Sequence, residues 1–141
     1  MKKTVFYFVA VALTVSMYSC KKEDKEPSII AKWEFSQSGY IDKSVSQTDE
    51  NLVDWSYGCP TQKDYINYKS AGEFDSKLFF DCNDTAAPET GTYTYADNKL
   101  TTISNGSTEE AKVVSLTNEN LKIELVQSSD YSDLLVFKKV N

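Results

Sequence analysis

The segment Asn120-Leu121-Lys122-Ile123-Glu124-Leu125-Val126 decides the fold class of this chain. Apolar residues at positions 121, 123 and 125 alternate with charged residues at 122 and 124. This period of two is typical of a β-strand that buries one face and exposes the other. Residues 117–119 before it are polar and turn-forming, and residues 111–116 precede them as a second apolar run. The region therefore predicts an antiparallel hairpin with one buried face.

Working outward, the same pattern of short apolar runs and polar turns extends over the chain. Further strands are predicted at residues 29–35, 65–69, 74–80, 91–95, 99–103 and 134–137. Residues 36–63 are polar and predict a long connection, with a short strand near residues 51–55. We expect an all-β fold whose eight strands form an antiparallel up-and-down barrel, because closure removes exposed strand edges. A two-sheet β-sandwich is the alternative.

The alternation also predicts which side chains point into the barrel. The expected inward set is Trp33, Phe35, Ile66, Tyr68, Phe74, Leu78, Phe80, Tyr93, Leu100, Val114, Leu121, Ile123, Leu125, Leu135 and Phe137. An eight-stranded barrel is just wide enough to be filled by its side chains or to hold one small ligand. Both a packed core and a partly open cavity therefore remain as interpretations.

Composition excludes several classes of function. The formal net charge is −6, and an acidic surface repels phosphate, so we expect no nucleic-acid partner. The chain contains neither His nor Arg. It therefore lacks an imidazole general base, a histidine metal ligand and a bidentate guanidinium clamp. We expect no catalytic residues, no metal site, no cofactor and no enzymatic activity.

The N-terminus has the features of a bacterial lipoprotein leader. Lys2 and Lys3 precede an apolar run over residues 5–15, which is too short to span a membrane and is typical of a secretory signal. Met17-Tyr18-Ser19-Cys20 then resembles a lipoprotein signal-peptidase site. This predicts a signal peptide at 1–19, a lipid-modified Cys20 with a flexible tether over 20–28, and a domain over 29–141. An ordinary signal peptide with an incidental cysteine is the alternative.

The tether carries a further indication of location. Lys22-Glu23-Asp24 resembles the surface-export signal of some Gram-negative lipoproteins, a lysine followed by two acidic residues after the lipidated cysteine. We therefore expect attachment to the outer membrane through Cys20, with the domain exposed at the cell surface.

Two further sites concern covalent chemistry. With Cys20 lipidated, Cys59 and Cys82 remain as a pair in an oxidising compartment, which predicts a disulfide over two free buried thiols. Asp84-Thr85-Ala86 resembles a three-residue O-glycosylation site of some Gram-negative bacteria, with Thr85 as the acceptor. Acidic clusters at 81–84 and 130–133 are better explained as solvated turns than as calcium ligands.

An ordered set of short motifs is similar to a known family. The motifs are Ala31-Lys32-Trp33, residues 65–74, Gly91-Thr92-Tyr93, Asn98-Lys99-Leu100, residues 114–117, Leu121 and Phe137-Lys138-Lys139. Together they resemble the small lipocalin-like domains of Gram-negative surface lipoproteins, over about residues 29 to 140. The resemblance implies a β-barrel and does not supply a ligand.

Two hypotheses for function follow. In the first, the barrel binds a small apolar or amphipathic ligand, with Trp33, Tyr68, Tyr93 and Tyr95 as the candidate binding residues. In the second, the barrel is packed throughout and serves as an interaction module for another envelope protein. An apolar cavity above about 300 Å³ would favour the first hypothesis.

Overall fold

A computed structural model describes residues 26–44 and 50–141 of the chain. The strands in these ranges are β1 (Ala31–Asp42), β2 (Val53–Asp54), β3 (Tyr65–Tyr68), β4 (Glu73–Lys77), β5 (Glu89–Ala96), β6 (Lys99–Ser104), β7 (Ser107–Leu116), β8 (Asn120–Val126) and β9 (Tyr131–Lys139). The predicted signal peptide, Cys20 and most of the predicted tether lie outside the described residues. Within the described ranges, no helix is long and apolar enough to cross a membrane.

The strands form one closed antiparallel barrel. β1 and the strands from β3 to β9 each pair with their neighbours in chain order, and β9 pairs back onto β1. The short strand β2 pairs only with β1, through Gln37 and Ser38. Eight strands therefore close the barrel, as predicted, and β2 is an addition at its edge. The alternative of a two-sheet sandwich is wrong, because the closing pair β1–β9 leaves no gap between sheets.

β1 is longer than the sequence predicts. Residues 36–42 were expected to begin a polar connection, but they continue the strand and pair with β9 as far as Asp42 and Tyr131. A β-bulge between Phe35 and Gln37 shifts the register there and disturbs the simple alternation. Gly39 lies in this extension, and a Cβ at this position would lie 2.2 Å from the Asn51 carbonyl oxygen. A glycine is therefore required where the chain returns across β1.

The two ends of the barrel differ. At the end where β1 begins, the Trp33 side chain is fully buried in the core cluster with Ile29, Leu121 and Phe137. Its indole Nε1 donates a hydrogen bond of 2.8 Å to the Ile29 carbonyl oxygen. The segment before β1 therefore seals this end, which we call the closed end. The short turns β3–β4, β5–β6 and β7–β8 lie at the same end.

The hairpin turn between β5 and β6 has the conformation that its sequence predicts. Asp97 and Asn98 both have positive φ, at 51° and 60°. Two successive residues in this region form the turn whose twist matches that of a two-residue hairpin, and Asp and Asn tolerate it well. The pairing of Ala96 with Lys99 follows directly from it.

Most of the predicted inward set is confirmed, but Val114 is wrong, and Leu78 and Phe80 lie beyond the end of their strand. Val114 is 42% exposed, because a bulge between Val113 and Ser115 shifts the register of β7. Val113 is buried in its place. Leu78 and Phe80 follow β4 instead of belonging to it, and their side chains are 45% and 84% exposed. The predicted strand at 74–80 therefore ends three residues early.

Part of the outer face is also buried. Leu134 and Ser132 on β9 are fully buried. Alternation along the strand places both side chains on the outer face of the barrel, so something outside the barrel must cover them. Glu124 beside them forms an ion pair with Lys43 at 3.2 Å. Burial of the Glu124 carboxyl opposes ionisation, but hydrogen bonds from Ser132 and Lys43 outweigh it and lower its pKa. The chain after β1 thus packs against the barrel wall.

At the opposite end, which we call the open end, Asp64 connects the loops. Its carboxylate accepts hydrogen bonds of 2.7 Å from the Trp55 indole and from the Phe79 backbone N–H. Its carbonyl accepts one of 3.1 Å from the Phe35 N–H. The Asp64 side chain is buried. Asp64 therefore joins β1 to two loops of the open end, residues 55–64 and residues 78–82.

A disulfide strengthens the same connection. Cys59 and Cys82 are bonded, which confirms the predicted pair over free thiols. Their separation of 23 residues corresponds to a stabilisation of about 3 kcal/mol in the chain-entropy model. The loops 55–64 and 78–82 are thus covalently joined beside the open end of the barrel.

Candidate functional site

The barrel encloses a cavity of about 600 Å³ that opens between the loops of the open end. Strands from the whole circumference contribute to its lining, so the cavity is the barrel interior and not a surface cleft. Its floor is formed by Tyr68, Phe74, Leu100 and Ala111, all of which are buried. Below this floor, the core of the closed end is packed. The interior is therefore filled at one end and open at the other.

Phe74 owes its position in the floor to a glycine. A Cβ on Gly91 would lie 2.6 Å from the Phe74 ring and 2.2 Å from the Ile103 carbonyl oxygen. Gly91 is the register partner of Phe74 on β5. The absence of a side chain at position 91 gives the ring its space across the barrel floor.

One half of the cavity has apolar walls. The apolar wall consists of side chains from β8, β9, β1 and β3, which are consecutive around the barrel: Ile123, Leu125, Leu135, Phe137, Phe35 and Ile66. Phe35 packs against Phe137 with ring centroids 4.6 Å apart, and against Trp55 at the same distance. Alternation along each strand produces this wall directly, since its members are the inward positions of strongly amphipathic strands.

The other half is polar near the mouth. The polar wall consists of side chains from β4, β6 and β7: Ser76, Thr102, Ser104, Ser107 and Glu109. Within it, Ser104 is the register partner of Ser107, and Thr102 is the register partner of Glu109. Small hydroxyl side chains occupy less volume than the aromatic and aliphatic groups opposite them. The polar wall therefore both leaves the space open and supplies hydrogen-bonding groups to it.

Tyr68 brings a hydroxyl group to the apolar floor. The residue is 3% exposed, and its ring packs against Phe74 and Tyr93 with centroids 6.2 and 4.8 Å away. Burial, with smaller contributions from Tyr93 and Glu109, raises the pKa of the Tyr68 hydroxyl. No fully buried side-chain oxygen of the described residues lacks a partner. The Tyr68 hydroxyl has no hydrogen-bond partner among the described residues, so it is not fully buried. It therefore faces the open space of the cavity that Tyr68 lines.

Four charged side chains line the cavity: Lys77, Asp84, Glu89 and Glu109. Lys77 is already engaged, because its ammonium lies 3.8 Å from the Asp84 carboxylate and donates to the carbonyl oxygens of Asp84 and Ala86 at 3.2 and 2.6 Å. Glu89 accepts a hydrogen bond of 3.1 Å from Asn105. The cavity mouth therefore has a negative balance of charge.

The predicted binding residues occupy different places. Tyr68 lines the cavity, whereas Trp33 lies below its floor in the closed end. Tyr93 packs on Tyr68, and its hydroxyl donates to the Lys69 carbonyl oxygen at 2.8 Å. Tyr95 lies in a shallow groove of the closed end and donates to Asn98 at 3.3 Å. The structure thus brings one of the four to the cavity.

The loop between β4 and β5 carries the predicted glycosylation acceptor. Thr85 is exposed at the cavity mouth, between Asp84 and Ala86. The Asp84 carboxylate accepts a hydrogen bond from the Ala86 N–H, and the Asp81 carboxylate accepts one from Asn83. These acids thus shape turns, and no cluster of potential metal ligands occurs in residues 26–44 and 50–141.

Sequence reasoning missed the polar wall. Ser104 and Ser107 flank a tight turn at Asn105 and Gly106, so their composition indicates only a turn. Glu109 stands in a run of polar residues with no apolar alternation. The tight turn fixes the register in which β6 and β7 pair. Counting from the turn along each strand, inward and outward positions alternate, and this count could have placed Ser104, Ser107 and Glu109 on the inner face.

A comparison with known protein families agrees with this architecture. A family model described as a lipocalin-like domain matches residues 29–123. No curated protein matches the sequence of this chain. Among solved structures, the chain is similar to the crystal structure of a lipocalin-like protein from Bacteroides uniformis, with 16% identity and a TM-score of 0.49. That match covers 78% of this chain and 96% of the other.

Proposed function

The chain belongs to the lipocalin-like domain family, and from this we propose that its barrel binds one small amphipathic ligand in the open cavity. The observation that supports the proposal most strongly is the contrast between the two walls. An apolar chain of a ligand would lie against the apolar wall, and its polar group would hydrogen-bond to the polar wall. Ligand sites in proteins are typically concave and mainly apolar, with a few polar groups that fix orientation.

The size of the cavity favours this role over a packed interaction module. Its volume of about 600 Å³ lies within the range of small-molecule sites, about 300–1,000 Å³. A barrel that acted only through its outer surface would gain stability by filling this space with larger side chains. Binding is also favoured over catalysis, because the chain has no imidazole to act as a general base near neutral pH.

Filling the cavity should abolish binding without unfolding the barrel. In Thr102→Phe, a ring would occupy the space beside the polar wall and exclude the ligand. We expect the affinity for a neutral fluorescent probe, N-phenyl-1-naphthylamine, to fall by at least about tenfold. The measurement is a fluorescence titration of the purified protein.

The matched control is Thr101→Phe, the neighbouring residue on the outer face of β6. It adds the same ring to the same strand and should leave the probe affinity unchanged. Equal binding by wild type and Thr102→Phe would contradict a site inside the barrel. Circular dichroism of both variants checks that the strands are retained.

We further propose that the protein is a lipoprotein anchored to the outer membrane through Cys20, with the cavity mouth facing away from the membrane. Glu26 and Pro27 lie beside Tyr95 and Asn98 at the closed end. The predicted tether of residues 20–28 reaches at most about 30 Å even when fully extended. An anchor at Cys20 would therefore hold the closed end near the lipid and leave the mouth open to solvent.

Replacing the anchor residue should release the protein. In Cys20→Ser, no acyl chains are added, and a membrane-bound protein should become soluble, since two or more chains are needed for stable attachment. The measurement is fractionation of a Gram-negative host that expresses the full chain. Cys59→Ser is the control, because it removes another cysteine and should stay with the membrane. Retention of Cys20→Ser in the membrane fraction would refute this anchor.

A further inference from the structure

We propose that the ligand is an amphiphile with a cationic, hydrogen-bond-donating head, such as a long-chain amine, and that Glu109 and Tyr68 receive this head. The inference rests on the proposed function, since it names the class of ligand for the same cavity. It is carried by the charged side chains of the cavity and by the hydroxyl group in its floor.

The charged groups of the cavity are unequally satisfied. Lys77, the positive group among them, has an ion pair with Asp84 and two carbonyl acceptors, so it offers little to an anionic ligand. The Glu109 carboxylate makes no ion pair and no side-chain hydrogen bond with any residue that the structure describes. The Glu109 side chain is exposed on the open side of the cavity, where its carboxylate attracts a cation and repels a second anion.

Tyr68 supplies a second, independent indication. The residue is 3% exposed, and its hydroxyl faces the cavity and has no partner among the described residues. A hydroxyl on the surface of the cavity that makes no hydrogen bond within the protein is available to donate to, or accept from, a bound ligand. The polar side chains nearest it along the wall are acceptors or hydroxyls, which can all accept a hydrogen bond from an ammonium group.

The geometry also orients such a ligand. Glu109 lies on β7 one inward position above Ala111 of the floor, and Tyr68 lies in the floor itself. β3 and β7 lie on opposite sides of the barrel, and the apolar wall connects them on one side through β8, β9 and β1. A head held between Glu109 and Tyr68 would leave its hydrocarbon chain against the apolar wall, which extends toward the mouth through Leu125.

The test uses three probes that share one hydrocarbon chain: decylamine, decan-1-ol and decanoate. Each is titrated against the purified protein at neutral pH, below its aggregation concentration, by displacement of N-phenyl-1-naphthylamine. We expect decylamine to bind at least about tenfold more tightly than decanoate, with the alcohol between them. We also expect the ratio to shrink as salt is added, because screening weakens charge pairs and leaves apolar contact intact.

Glu109→Gln should remove most of the preference, lowering decylamine affinity by about fivefold while decanoate binds as well as or better than before. Glu110→Gln is the matched control, because the neighbouring carboxylate pairs with Lys99 on the outer face and should leave the ratio unchanged. Equal affinities for the three probes, or tighter binding of decanoate, would overturn the proposed ligand class and leave the binding function standing. Failure of all three probes and of the fluorophore to bind would overturn both.

Discussion

Trp33→Ala is expected to lower the free energy of unfolding by about 4 kcal/mol, the range for truncating a large buried aromatic side chain. The Trp33 side chain is fully buried, and the alanine would leave a cavity in the closed end of the barrel. The variant also loses the hydrogen bond to the Ile29 carbonyl, which ties the segment before β1 to the core. Since small domains are stable by only about 5–15 kcal/mol, much of the total is removed.

Urea denaturation followed by far-UV circular dichroism measures this change. Tyr40→Ala is the control, because it removes an exposed aromatic side chain from the same strand, where its ring stacks on Tyr131 at 5.6 Å. That substitution should cost no more than about 1 kcal/mol. A similar loss in both variants would show that Trp33 has no special place in the core.

Asp64→Ala is expected to destabilise the protein by about 3 kcal/mol, because it leaves two partly buried donors without acceptors. These donors are the Trp55 indole and the Phe79 backbone N–H, each 2.7 Å from a carboxylate oxygen. The loss falls on the loops of the open end, so the affinity of the cavity for N-phenyl-1-naphthylamine should fall as well. Denaturation and probe titration measure the two effects separately.

Two variants make this prediction sharper. Asp64→Asn keeps one acceptor oxygen and should lie between wild type and the alanine variant. Asp54→Ala removes an exposed carboxylate that accepts only a long hydrogen bond of 3.5 Å from Gln37, and should be nearly neutral. If Asp64→Ala proves as stable as Asp54→Ala, the connection between the loops does not depend on this carboxylate.

The strands with strong alternation could be predicted from the sequence. Residues 120–126, with apolar side chains at every second position, form β8 with the expected boundaries. The extension of β1 was missed because Ser36, Gln37 and Ser38 have little apolar character and the strand bulges beside them. Closure against β9 imposes this conformation, and pairing with a distant strand leaves no local trace in composition. The bulge that exposes Val114 could not be predicted either, because it also depends on pairing with another strand and leaves no local trace in composition.

The cavity itself was less predictable than the strands around it. The sequence indicated large inward side chains but left open whether they fill the interior. The outcome depends on where they lie along the barrel axis: Trp33 and Leu121 fill the closed end, while Ser104 and Ser107 face each other near the mouth. Tyr68 was correctly placed on an inward position of its strand. Tyr93 and Tyr95 lie toward the closed end because β5 continues beyond the cavity floor.

Closure of the barrel by β1 and β9 has a consequence for how the molecule is made. These strands are the first and the last of the described elements, and they share the longest run of register partners in the sheet. Contacts so distant along the chain form slowly, because a large loop must be ordered before they stabilise anything. During synthesis, one edge of β1 therefore stays unpaired until β9 has emerged from the ribosome. A chain cut short before residue 131 would keep that edge open and would be prone to aggregate.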